Sequence, residues 1–320
     1  MFAFKSDKCV LVANNNSETK DFSKLNLVQI LPTFMLSKLK TYADFIKIEH
    51  TLFALPFAYV GAILAAHGWF GWRLFFLILT AFTGMRTTAM ILNRIIDREI
   101  DALNPRTAMR HIPAGLITLR EAYAILSVAL LVYFSSAYLI NGTAFMLSPL
   151  PVVIAYVYPY LKRFTCLTHY VLGLTLAFAP LGGWIAVTDS FNPLSSELVP
   201  CLLGIAVMFW VAGFDIIYGL QDLNFDRKYG LHSIGAHFGV RIALITSALN
   251  HLLFFCLLTL SLYIYGIRTS IAGLSVIAAL LVYQHAIVRE HSEKKIQIAF
   301  FHSNAAISAS LLVFVLANFI

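Results

Sequence analysis

The chain has 320 residues, of which 59% are apolar and only 12% charged, against roughly 45–50% and 25% in a soluble domain. This composition excludes an ordinary soluble fold. The formal charge of +7 comes without a basic arm interleaved with aromatics, which argues against a nucleic-acid partner. Four cysteines, Cys9, Cys166, Cys201 and Cys256, contain no CxxC pair and so point to no zinc site, haem site or disulfide framework.

In chain order, residues 1–37 are polar or mixed and lack the basic, apolar and small-residue succession of a signal peptide. They read as a cytoplasmic extension, with residues 25–36 a candidate interfacial helix. From residue 38 to 320 the chain reads as one membrane domain. Windows of about 20 apolar residues suited to crossing a bilayer fall near 48–66, 72–92, 121–140, 143–160, 169–188, 198–220, 242–265, 270–288 and 298–319. The expected fold is therefore an all-α integral membrane bundle of about nine transmembrane helices with cytoplasmic cap loops.

The distribution of Lys and Arg supports this division. With the N-terminus inside, nearly all of them fall on the inner side, including Lys47, Arg94, Arg98, Arg120, Arg227, Lys228 and Arg241, and only Arg73 and Arg268 fall outside. Two inner loops, Arg94 to Arg120 and Gln221 to Arg241, are long and charged, so function is expected there. Both follow an even-numbered span, which suggests two related helical bundles. Thr118 and Glu121 form a T-x-x-E capping box at the start of the third span.

The second span ends with Asn93, Asp97 and Asp101, spaced by four. On one helix these share a face, and stacked carboxylates repel unless a cation sits between them. Mg2+, a hard ion bound by carboxylates together with substrate phosphates, suits the site. The sixth span ends with Tyr218, Asp222 and Asp226 at the same spacing. Asn93, Asp97, Asp101, Asp222 and Asp226 are thus the candidate metal ligands.

These paired motifs resemble those of the UbiA family of intramembrane aromatic prenyltransferases, N-x-x-x-D-x-x-x-D followed by D-x-x-x-D with a preceding tyrosine. The resemblance extends to Asn104-Pro105-Arg106-Thr107, Arg110, Pro113-Ala114-Gly115, Tyr158-Pro159 with Lys162-Arg163, and Gly230 through Gly239. His111 stands where the family commonly places proline. The resemblance implies Mg2+-dependent transfer of a polyprenyl group from polyprenyl diphosphate to a small aromatic acid in a lipid bilayer. Departure of pyrophosphate would leave an allylic cation for the aromatic ring to attack. It casts Asp97, Asp101, Asp222, Asp226 and Tyr218 as catalytic, and Asn93, Lys162, Arg163, Tyr158, Arg106 and Arg110 as substrate-binding.

Two intramembrane charges add to that set. Arg86 precedes Asn93 by two turns and is suited either to an aromatic carboxylate or to a structural pairing with Asp215. Asp215 lies two turns inside Asp222, where a carboxylate is costly unless paired or functional. Asp44, Lys47, Glu49 and His50 are candidates for the inner mouth, and Phe53, Phe57 and Tyr59 for the wall of an apolar tunnel. The acceptor reads as 4-hydroxybenzoate, with a naphthoate-type menaquinone precursor as the alternative, and the membrane as a bacterial inner one. A secondary transporter is the reading from another class, weakened because the carboxylates crowd one face.

Overall fold

The computed structural model describes residues 38, 40–47, 51–192, 198–267, 271–288 and 293–319. The expected extension over 1–37 with its helix at 25–36, together with Glu49, His50 and Arg268, lies outside the described residues, as does the side chain of Phe53. The chain divides into two units, residues 1–42 and 43–320. The first contributes only a short helical stretch to the described residues. The second is helical throughout, with no strand among the described residues.

In that unit α1 spans Thr51–Ala66, α2 Trp72–Ile96, α3 Arg98–Leu103, α4 Leu119–Ile140, α5 Gly142–Leu147, α6 Pro149–Leu161 and α7 Thr168–Thr188. The second half contains α8 (Leu198–Gly219), α9 (Leu223–Tyr229), α10 (Ile234–Tyr265), α11 (Ile271–Val288), α12 (Glu293–Ile298) and α13 (Asn304–Ala317). Eight helical segments among the described residues are long and apolar enough to cross a membrane, and α1 is a shorter apolar helix. The protein is a multi-pass integral membrane protein, and the expected nine windows correspond to these eight spans plus α1.

The helical path is broken at four places within or beside these windows, each for a local reason. The window 143–160 is two helices, because Pro149 has no N–H to continue the turn and the chain re-enters a helix there after Ser148. Gly239, at φ 82 and ψ 169, breaks the helical path near the start of α10 in a conformation open essentially to glycine alone. Residues Ala299–Ser303 form a π-helical turn between α12 and α13. Its carbonyls are held by side chains: Gln284 Nε2 donates to Ala299 O at 3.0 Å and Asn304 Nδ2 to Phe300 O at 2.7 Å. The sixth window ends in a 3-10 turn, Leu220–Asp222, before α9 begins. The capping box forms as expected: Thr118 accepts from Glu121 N at 3.2 Å, and its own N–H donates to Glu121 Oε2 at 2.9 Å.

The helix α8 packs against α7 and α10, α1 against α7 and α13, and α2 against α4 and α6. In lipid, apolar surface alone gives helices little reason to associate, so close backbone approach and interlocking side chains carry the packing. Trp210 on α8 is fully buried, with Phe57 at 4.8 Å, Phe214 at 5.1 Å and Phe254 at 6.0 Å between ring centroids. Tyr59 stacks on Phe75 at 4.8 Å. Phe57 and Tyr59, the expected tunnel residues, therefore belong to this packed core and do not line the cavity described below.

The crossing of α1 and α7 needs glycine from both helices. A Cβ at Gly61 would overlap the carbonyl oxygen of Pro180, and one at Gly183 the carbonyl oxygen of Ala58. Gly183→Val should push the two helices apart and cost about 1–3 kcal/mol. A lowered unfolding temperature of the detergent-solubilised protein would register this, and an unchanged one would show that the crossing tolerates a side chain.

Candidate functional site

The two aspartate motifs do not lie on continuous helices. Helix α2 stops at Ile96, and Asp97 is the junction residue at φ −91, ψ 3; Asp222 is the matching junction at φ −98, ψ 4. Spacing by four survives the first break, since Asp97 N donates to Asn93 O at 2.9 Å and Asp101 N to Asp97 O at 2.8 Å. The first aspartate of each motif thus sits where the chain bends out of a membrane helix into a short helix of the cap.

Each carboxylate of the motifs has a basic or hydroxyl partner. Lys162 Nζ meets Asp97 Oδ2 at 2.6 Å, and Asn93 Nδ2 donates to the same oxygen at 3.1 Å. Arg163 lies 3.8 Å from Asp97 Oδ1 and donates to Ile96 O at 3.2 Å, which ties down the end of α2. Arg110 reaches both oxygens of Asp101 at 2.9 Å. Arg106 clasps Asp222 with Nε at 2.8 Å and also with Nη2, and Asn104 Nδ2 donates to Asp222 Oδ1 at 2.7 Å. Asp226 accepts from Ser233 Oγ at 2.9 Å, and Lys162 also acts on it electrostatically.

The loop after α3 therefore carries Arg106 and Asn104 across to the second motif, more than 110 residues away in sequence. Arg106 also donates to Tyr218 Oη at 3.2 Å and lies over its ring at 5.4 Å. Phe300, presented by the π-helical turn, packs on the other side of the site with its ring 4.4 Å from that of Tyr218. Burial pushes the carboxyl of Asp97 upward, while Lys162 and Arg163 pull it back. For Arg106, burial acts to lower the guanidinium but the bonds to Asp222 outweigh it, so the group stays firmly charged.

Behind these pairs lies a cavity of about 620 Å3. Its wall on α2 runs from Ile78 to Arg94, a length of about 24 Å at helical rise. The far part is apolar, formed by Ile78, Phe82, Tyr133, Ile140, Leu147 and Phe191. The near part is basic, with Lys47, Arg86, Arg94, Arg106 and Arg110 against a single carboxylate among the described residues, Asp215. A concave surface with one sign of charge and low-dielectric walls concentrates anions.

Of the residues singled out from sequence, Arg86, Asn93, Arg106, Arg110, Tyr158, Asp215 and Tyr218 line this cavity, while Asp97, Asp101, Asp222, Asp226, Lys162 and Arg163 sit behind that lining in the paired network. Lys47 is on the wall too. Among the described residues no three His, Cys, Asp or Glu side chains are gathered around one point as a metal would need. The donor chemistry nonetheless suits a hard cation: the motifs offer oxygen ligands, and Asp97 Oδ1 is buried with no hydrogen bond.

Three residues went unrecognised in sequence. Arg94, expected as an inner-face anchor, is only 7% exposed, lines the cavity and lies over the ring of Phe45 at 5.4 Å. Its spacing of eight from Arg86 puts it on the same helix face, a signal the sequence did contain. Asn104 had no assigned role, and its bond to Asp222 is visible only in the fold. His169, the partner of Asp215 at 2.7 Å, likewise gives no sequence signal.

Comparison with known proteins now bears on this geometry. The sequence pattern of the UbiA prenyltransferase family matches residues 54–305. The chain belongs to the UbiA prenyltransferase family. It is accordingly a prenyltransferase enzyme, as the paired motifs implied. The 4-hydroxybenzoate octaprenyltransferase of Aliivibrio fischeri is 28% identical over 257 residues, covering 78% of this chain and 88% of that protein. The enzyme of the same name from Cupriavidus necator is 27% identical, covering 84% and 94%. A solved UbiA homologue from Aeropyrum pernix, without ligand, superposes with a TM-score of 0.77 at 36% identity over 85% of this chain and 99% of that one. A UbiA homologue from Archaeoglobus fulgidus, solved bound to GPP and Mg2+, shares the fold with a TM-score of 0.67 at 20% identity over 87% and 98%.

The bridge between the halves of this UbiA protein is open to a direct test. A double-mutant cycle of Arg106→Met and Asp222→Asn, read by thermal unfolding, should give a coupling of about 0.5–3 kcal/mol. Additive effects would mean that the clasp does not hold the cap.

Proposed function

We propose that this UbiA protein transfers a polyprenyl group from polyprenyl diphosphate to 4-hydroxybenzoate, with Mg2+, in a bacterial inner membrane with both motifs on the cytoplasmic face. The carrying observation is the polarity of the cavity: a basic end beside two paired aspartate motifs, continuous with an apolar end long enough for an isoprenoid chain. The names of the relatives support the acceptor and the ligands of the Archaeoglobus protein support the donor and the metal.

Asn93, Asp97, Asp101, Asp222 and Asp226 would hold the metal. Bound there, Mg2+ supplies Lewis-acid stabilisation of the charge that builds on the departing pyrophosphate. The residues of this chain then act through exchange of partners. Lys162 and Arg106 neutralise Asp97 and Asp222; with those carboxylates engaged elsewhere, the two cations would be available to the diphosphate. Arg110 is positioned to do the same from Asp101. Tyr218, held by Arg106 and backed by Phe300, and the other aromatic faces near this end can shelter an allylic cation. Arg86, deeper on α2, is suited to the carboxylate of the acceptor.

Product formation by protein in lipid, with polyprenyl diphosphate, magnesium and 4-hydroxybenzoate, tests this reading, with a dihydroxynaphthoate as the competing acceptor. Asp97→Ala and Asp222→Ala should each lower the rate by about 100-fold or more. Transfer to the naphthoate alone would move the assignment to that acceptor, and transfer without magnesium would remove the metal from it. Arg86→Leu should raise KM for the aromatic acid by about 10- to 100-fold, the worth of a charge-assisted hydrogen bond, while KM for the diphosphate stays within a few-fold. A matching rise in both would place Arg86 in scaffolding.

A further inference from the structure

We infer that Asp215 is the base that takes the ring proton of the aromatic acceptor, and that His169 is the residue that positions it. This rests on the prenyl-transfer reading above and goes on to ask where the displaced proton goes. Among the described residues Asp215 is the single carboxylate on the cavity wall; the Lys and Arg groups there cannot accept a proton, and the one histidine on the wall, His111, sits in the loop after α3 with its ring against Phe45 and beside Arg94, at the basic mouth. It lies seven residues from Asp222 and three from Tyr218, about 10 Å deeper than the second motif along the helix. A ring reaching the carbon released from the diphosphate would stand at that depth.

The pairing of Asp215 is of a different kind from the others. His169, the second residue of α7, puts Nδ1 2.7 Å from Asp215 Oδ2. An ionised carboxylate offers only acceptors, so the shared hydrogen belongs to the imidazole. His169 is 4% exposed, and its Nε2 is buried with no hydrogen-bond partner. A proton on Nε2 would be an unsatisfied buried donor, which is costly, so the surroundings favour the tautomer with its hydrogen on Nδ1, facing Asp215. The imidazole holds one carboxylate oxygen and directs the other to the acceptor. This is the base-and-orienter arrangement of general base catalysis.

The step balances. The C1–O bond of the prenyl diphosphate breaks with its electron pair leaving on pyrophosphate. A π pair of the ring forms the new C–C bond, and the ring becomes a cation with one tetrahedral C–H carbon. Asp215 takes that proton, and the C–H pair restores the aromatic ring.

The test measures prenylated product and pyrophosphate together, with acceptor carrying hydrogen or deuterium on the ring. In the wild type the two products should form one to one, at a rate that ignores the deuterium. In Asp215→Asn, ionisation should continue while re-aromatisation stalls. The ratio of product to pyrophosphate should fall about tenfold or more, with prenyl alcohol making up the difference, and ring deuterium should slow product formation. His169→Leu should uncouple in the same way, and His169→Asn, which offers an N–H near the position of Nδ1, should restore coupling. These two variants carry the test if Asp215→Asn does not fold. A ratio of one and no isotope effect in the variants would overturn the assignment while leaving the prenyl-transfer reading intact. A wild type that prenylates no aromatic acid would sink both.

Discussion

A carboxylate at the end of a membrane helix has to be neutralised, and the cap of this protein is organised by that requirement. Desolvation penalises the charged form, and the two aspartates of each motif penalise one another. Asp97, Asp101 and Asp222 are each met by a Lys or Arg from outside their own helix. Lys162 comes from the end of α6, and Arg106 and Arg110 from the loop after α3. These pairs, with the bonds from Asn104 to Asp222 and from Thr107 to the Asp101 carbonyl, hold that loop across the mouth of the cavity.

The same pairings connect stability to chemistry. In the proposed reaction a diphosphate and a divalent cation would pair with the charges already in the cap, so ligand pairs would replace internal ion pairs and no buried charge would be left without a partner. The rigid part lies beneath. Trp210 and its aromatic neighbours fix α8 against α1 and α10, and glycines at Gly61 and Gly183 let α1 and α7 touch backbone to backbone. Helices α2, α6, α7 and α8 then hold the cavity open between a firm core and an exchangeable cap.

Irregular backbone is confined to places where it serves that layout. Both motifs bend at their first aspartate, and the π-helical turn brings Phe300 to Tyr218. In a bilayer such breaks survive only where protein side chains satisfy the freed backbone groups. Gln284 and Asn304 do so at the π turn, and Arg163 at the end of α2.

The sequence by itself determined the membrane class, the number of apolar windows to within the short α1, the inward bias of Lys and Arg, and the two aspartate motifs with their family resemblance. These depend on local composition and spacing, which hydropathy and side-chain chemistry make legible one segment at a time. Arg86 and Asp215 were legible because a charge within an apolar run stands out, and Asn93 because it keeps the spacing of four with Asp97 and Asp101. Only the tertiary structure decided that Arg106 and Asn104 cross to Asp222, that Arg94 faces the cavity, that Phe57 and Tyr59 belong to the core, and that His169 holds Asp215. Each depends on which face of one helix meets another over more than forty residues of chain. In lipid that choice is made by close packing and by the demand that every buried charge find a partner, and neither constraint can be read from a single helix.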